Sequence, residues 1–248
     1  MQLVAGLCIL LFVGVGTAVG FRMLWFARQR GGLPEWIMGS GLVLICTVGH
    51  PLGQVSGIGK GTVAEVHLPL WALATLLTQA GVACMWLFTA HVFRPRVGWA
   101  HALCASGIGV LLTSFAGSGL ALLTAPPEAS THAVTRAWML FGMIGYAGGF
   151  FWTAVEGMRQ YRMALRRLAL GLADPVVANR FFLWGLFGLF ATAINLASVV
   201  GLVLGLPSYS LLTLLPMGTL GAGGAFVMYL AFFPPAWYLG WVRGAAHA

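Results

Sequence analysis

The chain has 248 residues, of which 60% are hydrophobic and only 7% charged, with a mean hydropathy of +0.92. Soluble domains carry about 25% charged residues, so this composition excludes a soluble globular protein and indicates an integral membrane protein. The formal charge of +8 comes from arginines flanking apolar runs, which reads as membrane topology and contact with anionic lipid, not as affinity for nucleic acid.

Apolar runs occur near 3–26, 35–56, 65–92, 98–123, 132–158, 180–204 and 210–238. Each is long enough to cross a bilayer, for which about 20 residues suffice. They are continuous, not alternating, which argues against a β-barrel. The expectation is an all-α protein, a single bundle of seven transmembrane helices over 1–248. Arginines at 28, 30, 94, 96, 159, 162, 166, 167, 180 and 243 flank alternate loops. The positive-inside rule then predicts an outer N-terminus and a cytoplasmic C-terminus, in a prokaryotic inner membrane.

The first run has no basic segment before it and no small-residue cleavage site, so it is expected to persist as a helix and not as a signal peptide. Gly16 and Gly20 form a GxxxG face for close helix approach. In the second run, His50 is followed by Pro51, and Gln54 lies at i+4 on the same face. Entering at Glu35, this helix carries His50 about 22 Å across, into the outer third of the membrane. Pro51 deprives the carbonyl of Thr47 of its usual donor.

Thr62-x-x-Glu65 has capping-box spacing and predicts the start of the third helix. His67 then lies at the depth of His50, and Pro69 vacates the carbonyl of Glu65 as a second kink. The stretch 46–71 thus gathers His50, Gln54, Glu65 and His67 in one polar corner. Other polar groups expected in the outer half are His132 and Arg136 in the fifth helix, Asn195 in the sixth, and Ser208, Ser210 and Thr213 near the seventh. His50, Gln54, Glu65 and His67, with His132, Arg136 and Asn195 as further lining, are the candidate ligand site, because polar groups inside a membrane are costly and signal function.

The same corner has alternative chemistry. His50 and His67, facing each other, form a candidate axial pair for haem b. His50, Glu65, His67 and His132 form a candidate metal set, although Glu65 and His67 are two residues apart and point to different helix faces. His91 and His101 bracket the 93–98 loop and read as interfacial. Cys8, Cys46, Cys84 and Cys104 lack CxxC spacing and read as packed apolar residues.

Hydrolytic motifs of the G-x-S-x-G or H-E-x-x-H type are absent, and Ser114 and Ser118 have no evident base. Enzymatic activity is not expected. Gln79 and Asn195 read as bridges between helices, and Glu156 as a local partner of Arg159. Past Arg159, Arg162, Arg166 and Arg167 recur at helical spacing beside Leu165, Leu168 and Leu170. This predicts an inward extension of the fifth helix offering a surface to lipid or a protein partner. Asp174-Pro175 then predicts an N-cap and first helical residue.

The segment 81-GVACMWLFTAHVFRP-95 resembles 224-GAFVMYLAFFPPAW-237, as in a three-plus-one-plus-three carrier plan. In topology the chain resembles rhodopsins and G-protein-coupled receptors, but its sole lysine is Lys60, in a loop, where no retinal Schiff base forms. It is similar in length and orientation to the seven-helix input modules of bacterial sensor kinases. Small sugar carriers of the PQ-loop kind share the helix count, without the Pro-Gln pair. The function expected is therefore a sensor or receptor-like module that binds a small ligand in an outer pocket and signals to a separate partner. Its alternatives are a haem b redox subunit and a small-solute carrier.

Overall fold

In lipid every backbone N–H and C=O needs an internal partner, and long apolar runs meet that demand as helices. The computed structural model describes residues 2–58, 61–206 and 211–244, so Lys60, Ser208 and Ser210 lie outside the described residues. Its helices are α1 (Gln2–Arg30), α2 (Leu33–Val55), α3 (Leu68–Phe93), α4 (Gly98–Thr124), α5 (Thr131–Leu168), α6 (Pro175–Val203), α7 (Leu211–Phe232) and α8 (Ala236–Gly244). The first seven are long and apolar enough to span a membrane. Among the described residues the only β-type pairing is an isolated bridge between Thr62 and Ser130.

Prolines and caps explain where the boundaries depart from expectation. The Thr62–Glu65 capping box is formed, but it closes a 3-10 turn at Val63–Glu65, and α3 begins at Leu68. Pro69 therefore sits in the first turn of α3, where its missing N–H costs nothing. It is a helix start, not the expected kink. Asp174 caps α6 through a 2.7 Å bond from the Val176 N–H to its carboxylate. The last apolar run divides, because Pro234 and Pro235 separate α7 from α8.

Each of the first seven helices packs on its neighbours in sequence, α7 closes the ring on α1, α3 also meets α5 across it, and α8 packs on α6. Glycine permits the tightest approaches. A Cβ at Gly157 would lie 2.8 Å from the backbone N of Gly185, and one at Gly188 would lie 2.7 Å from that of Ala154, so α5 and α6 touch backbone to backbone.

The two ends of the bundle differ. One end carries the arginine-rich helix termini, including the exposed Arg159, Arg162, Arg166 and Arg167 on the last turns of α5. Beneath it lies an aromatic core in which Trp86 packs on Trp152 and Trp184 on Phe88, Phe187 and Phe232. The other end carries the N-terminus and two loops that tie together. Val63 and Ala64 donate to the carbonyls of Ala129 and Pro127, and Thr131 donates to that of Gly61.

Candidate functional site

The site is built on a disturbance in α2. Residues Val43–Gly49 form a π-helix, and the His50 N–H bonds back to the Ile45 carbonyl, five residues away. Pro51 follows, and as it has no N–H, the wider turn accommodates the break in the hydrogen-bond ladder. The side chain of Thr47 meets Thr17 of α1 at 3.0 Å. Gly49 lies so close to α3 that a Cβ there would strike Thr78. These contacts pin α2 between α1 and α3 and set the rotation of His50 and Gln54.

His50 and Gln54 face a chamber of two adjoining compartments. The first, of about 390 Å³, lies among α2, α3, α4 and α5, and runs from Ile58 and His132 near the loops down to Gln79 and Tyr146. The second, of about 670 Å³, lies toward α1, α6 and α7, with Ile9, Leu202, Leu214 and Met217 in its wall. His50, Gln54, His132, Met139 and Met143 line both, so these side chains form the partition between them. No Asp, Glu, Lys or Arg lines either compartment.

Gln79 lies near the middle of α3, eleven residues past its start, or about 16 Å along the helix. It is 5% exposed, lies beside the Tyr146 hydroxyl, and its Oε1 has no hydrogen-bond partner. The hydroxyls around it donate to backbone: Thr78 to Ala74 at 2.8 Å, Ser114 to Trp138 at 2.7 Å, and Thr135 to Thr131 at 2.7 Å. Since a hydroxyl has one proton, what they present to the chamber is lone pairs.

The structure thus brings together three of the seven residues expected at the ligand site, His50, Gln54 and His132. The other four have different roles. Glu65 accepts from the Thr62 N–H at 3.3 Å, with its carboxylate over Gly61, and so holds the loop turn. His67 is exposed at the N-cap position of α3 and lines neither compartment, so it does not share the chamber with His50 as the haem alternative requires. Arg136 donates to the Val203 carbonyl at 2.6 Å and secures the C-terminal end of α6. Asn195 donates to the Ala191 carbonyl of its own helix at 2.7 Å.

Among the described residues no three His, Cys, Asp or Glu side chains gather as a metal site needs. Cys46, Cys84 and Cys104 are free. His91 and His101 stand edge to face at 5.6 Å, each with Nδ1 held 3.0 Å from a carbonyl of its own helix. That arrangement fits the interfacial role expected of them.

Glu156 departs from expectation. Its partner is Arg94 at the end of α3, at 2.8 Å, and not Arg159 on its own helix. The carboxylate is 3% exposed, and Oε2 is left without a partner. Burial decides the pairing: Glu156 faces α3, whereas Arg159 is exposed. With the Thr89–Thr153 contact at 2.7 Å and the Trp86 Nε1 bond to Gly145 at 2.9 Å, this pair locks α3 to α5 below the chamber.

Apart from His132, sequence reasoning missed the chamber stripe of α5. His132, Thr135, Met139, Gly142, Met143 and Tyr146 all face the first compartment. Their spacing of i, i+3, i+7, i+10, i+11 and i+14 is one face of a helix, and that spacing is the signal that would have found it. No protein family, curated protein or solved structure matches the chain. The reading of its function therefore rests on the chamber.

Proposed function

We propose that this protein is a receptor-like membrane module that binds a small molecule in the two-part chamber, with His50, Gln54 and His132 at the partition. The observation that carries this reading is the convergence of α2 and α5 polar groups on one cavity that also holds the unpartnered oxygen of Gln79. Buried polar groups without partners are rare, and a cavity around one is the ordinary setting of a binding site. The arginine-rich end faces the cytoplasm by the positive-inside rule, which opens the chamber end outward.

The long helix α5 supplies the route for a signal. It has 38 residues, about 57 Å of helix against a hydrocarbon core of about 30 Å. One end lines the chamber and the other projects Arg162, Arg166 and Arg167 toward a partner or the lipid surface. Ligand seated between α2 and α5 would act on α5 against the Arg94–Glu156 lock, so the lock is the element whose state the ligand biases.

The test is a thermal-shift screen of small molecules on the purified protein in nanodiscs, run in parallel on the His50→Ala/His132→Ala variant. A genuine ligand raises the melting temperature of the wild type and not of the variant. A ligand that stabilises both equally would remove these histidines from the site.

A further inference from the structure

Resting on the chamber reading, the chemistry of the wall selects a class of ligand. The deep end of the first compartment presents oxygen acceptors: Gln79 Oε1 is unpartnered, and Thr78, Ser114 and Thr135 have spent their protons on backbone carbonyls. A ligand group that donates a hydrogen bond there satisfies Gln79 Oε1, which the bond with the Tyr146 hydroxyl beside it leaves without a partner. A ligand that merely accepted would leave Gln79 Oε1 unsatisfied, at the cost of a buried polar group without a bond.

Charge narrows the class further. Neither compartment has an acidic or basic side chain apart from histidine, and an ion without a counter-charge at this depth is expensive. A cationic donor such as an ammonium meets no carboxylate, because Glu65 is committed to the loop turn and Glu156 to Arg94. The donor is therefore neutral.

The second compartment supplies the rest. It is the larger of the two, and beyond the partition its wall is mainly apolar, from Ile9, Leu202, Leu214 and Met217. Thioethers at the partition, Met139 and Met143, adapt to an irregular chain. We infer that the chamber takes a neutral lipid-soluble alcohol, its hydroxyl head hydrogen-bonded to Gln79 in the first compartment and its hydrocarbon tail in the second. The head is a donor at the acceptor end, and the tail lies on the apolar side.

The experiment uses the full chain in nanodiscs and tritiated 1-decanol, with empty nanodiscs as background. Displacement is measured with unlabelled 1-decanol, 1-methoxydecane, decanoate and decyltrimethylammonium. The alcohol binds saturably, and the ether, which differs in lacking the donor, competes about tenfold or more weakly; both ions also compete more weakly than the alcohol. Gln79→Leu shrinks the gap between alcohol and ether to less than about threefold, and Gln79→Asn, which retains the acceptor, keeps more of it. The melting temperature of each variant establishes that it is folded.

An ether that competes as well as the alcohol, or an ion that competes better, overturns the class of ligand. So does a lack of saturable decanol binding. Access to the chamber is scored separately by thiol labelling of Met143→Cys. A chamber that labels but does not bind decanol overturns the alcohol alone, whereas one that does not label overturns the binding chamber itself.

Discussion

Two buried polar groups in this bundle are tied to different fates. Glu156 has a charged partner, and removing it leaves an uncompensated charge in low dielectric. Arg94→Ala is therefore expected to destabilise the protein by about 3–5 kcal/mol, while the joint replacement Arg94→Met with Glu156→Leu restores most of that loss. Equilibrium unfolding in mixed micelles measures both, and a double variant no better than the single one would contradict the lock. Trp86→Phe trims the buried indole to a phenyl ring and loses the bond to Gly145, at an expected cost of about 1–3 kcal/mol, in the same assay. Gln79 behaves otherwise, since its Oε1 has no partner to lose. Gln79→Leu removes this unsatisfied acceptor together with the bond to the Tyr146 hydroxyl, two opposed effects, and is expected to change stability by less than about 1 kcal/mol.

At the scale of elements, the π segment of α2 is the part whose geometry the site depends on. A π turn adds one residue to the helix, so straightening it would rotate the residues beyond it by about 100° relative to those before it. Pro51→Ala restores the N–H that an α-helix needs at this point and is expected to turn His50 away from the chamber. Hydrogen exchange over residues 47–51 and the reactivity of His50 toward diethyl pyrocarbonate report the change; identical values in both forms would dissociate Pro51 from the π turn. Close packing of α5 on α6 gives a second prediction. Gly157→Leu drives a side chain into the backbone at Gly185 and costs about 1–3 kcal/mol, whereas Gly240→Leu, with nothing within 4 Å, stays within about 0.5 kcal/mol. Much of this level was legible in the sequence, as with the Asp174–Pro175 start and the Thr62–Glu65 box, because caps and prolines act through local backbone geometry. Pro69 was misjudged as a kink because the same residue is harmless in a first turn, and only the true start of α3 tells the two apart.

At the scale of the whole molecule, seven apolar helices were legible from composition and run length alone, since lipid leaves the chain few alternatives. The candidate site was legible only in part. His50, Gln54 and His132 stood out because polar residues are rare in an oily chain, but rotational phase depends on tertiary packing. For that reason His67, equal to His50 in expected depth, turned out to face away, and Glu156 found Arg94, 62 residues distant, in place of Arg159. Orientation has its own test: alkaline phosphatase inserted at the 56–61 loop of the protein in a bacterial host should be active, and a fluorescent protein fused after Ala248 should fluoresce, the opposite pair of results inverting the topology. On the proposed reading, α2 and α5 enclose a chamber that a ligand can enter. The most direct measurement is the reaction of a small uncharged methanethiosulfonate with Met143→Cys, in a protein whose Cys8, Cys46, Cys84 and Cys104 are replaced by alanine. Its neighbour Ile144→Cys, on the exposed outer face, serves as the reference. Met143→Cys is expected to react much faster than Ile144→Cys, with 1-decanol slowing it; equal, slow reaction at both positions would overturn the chamber.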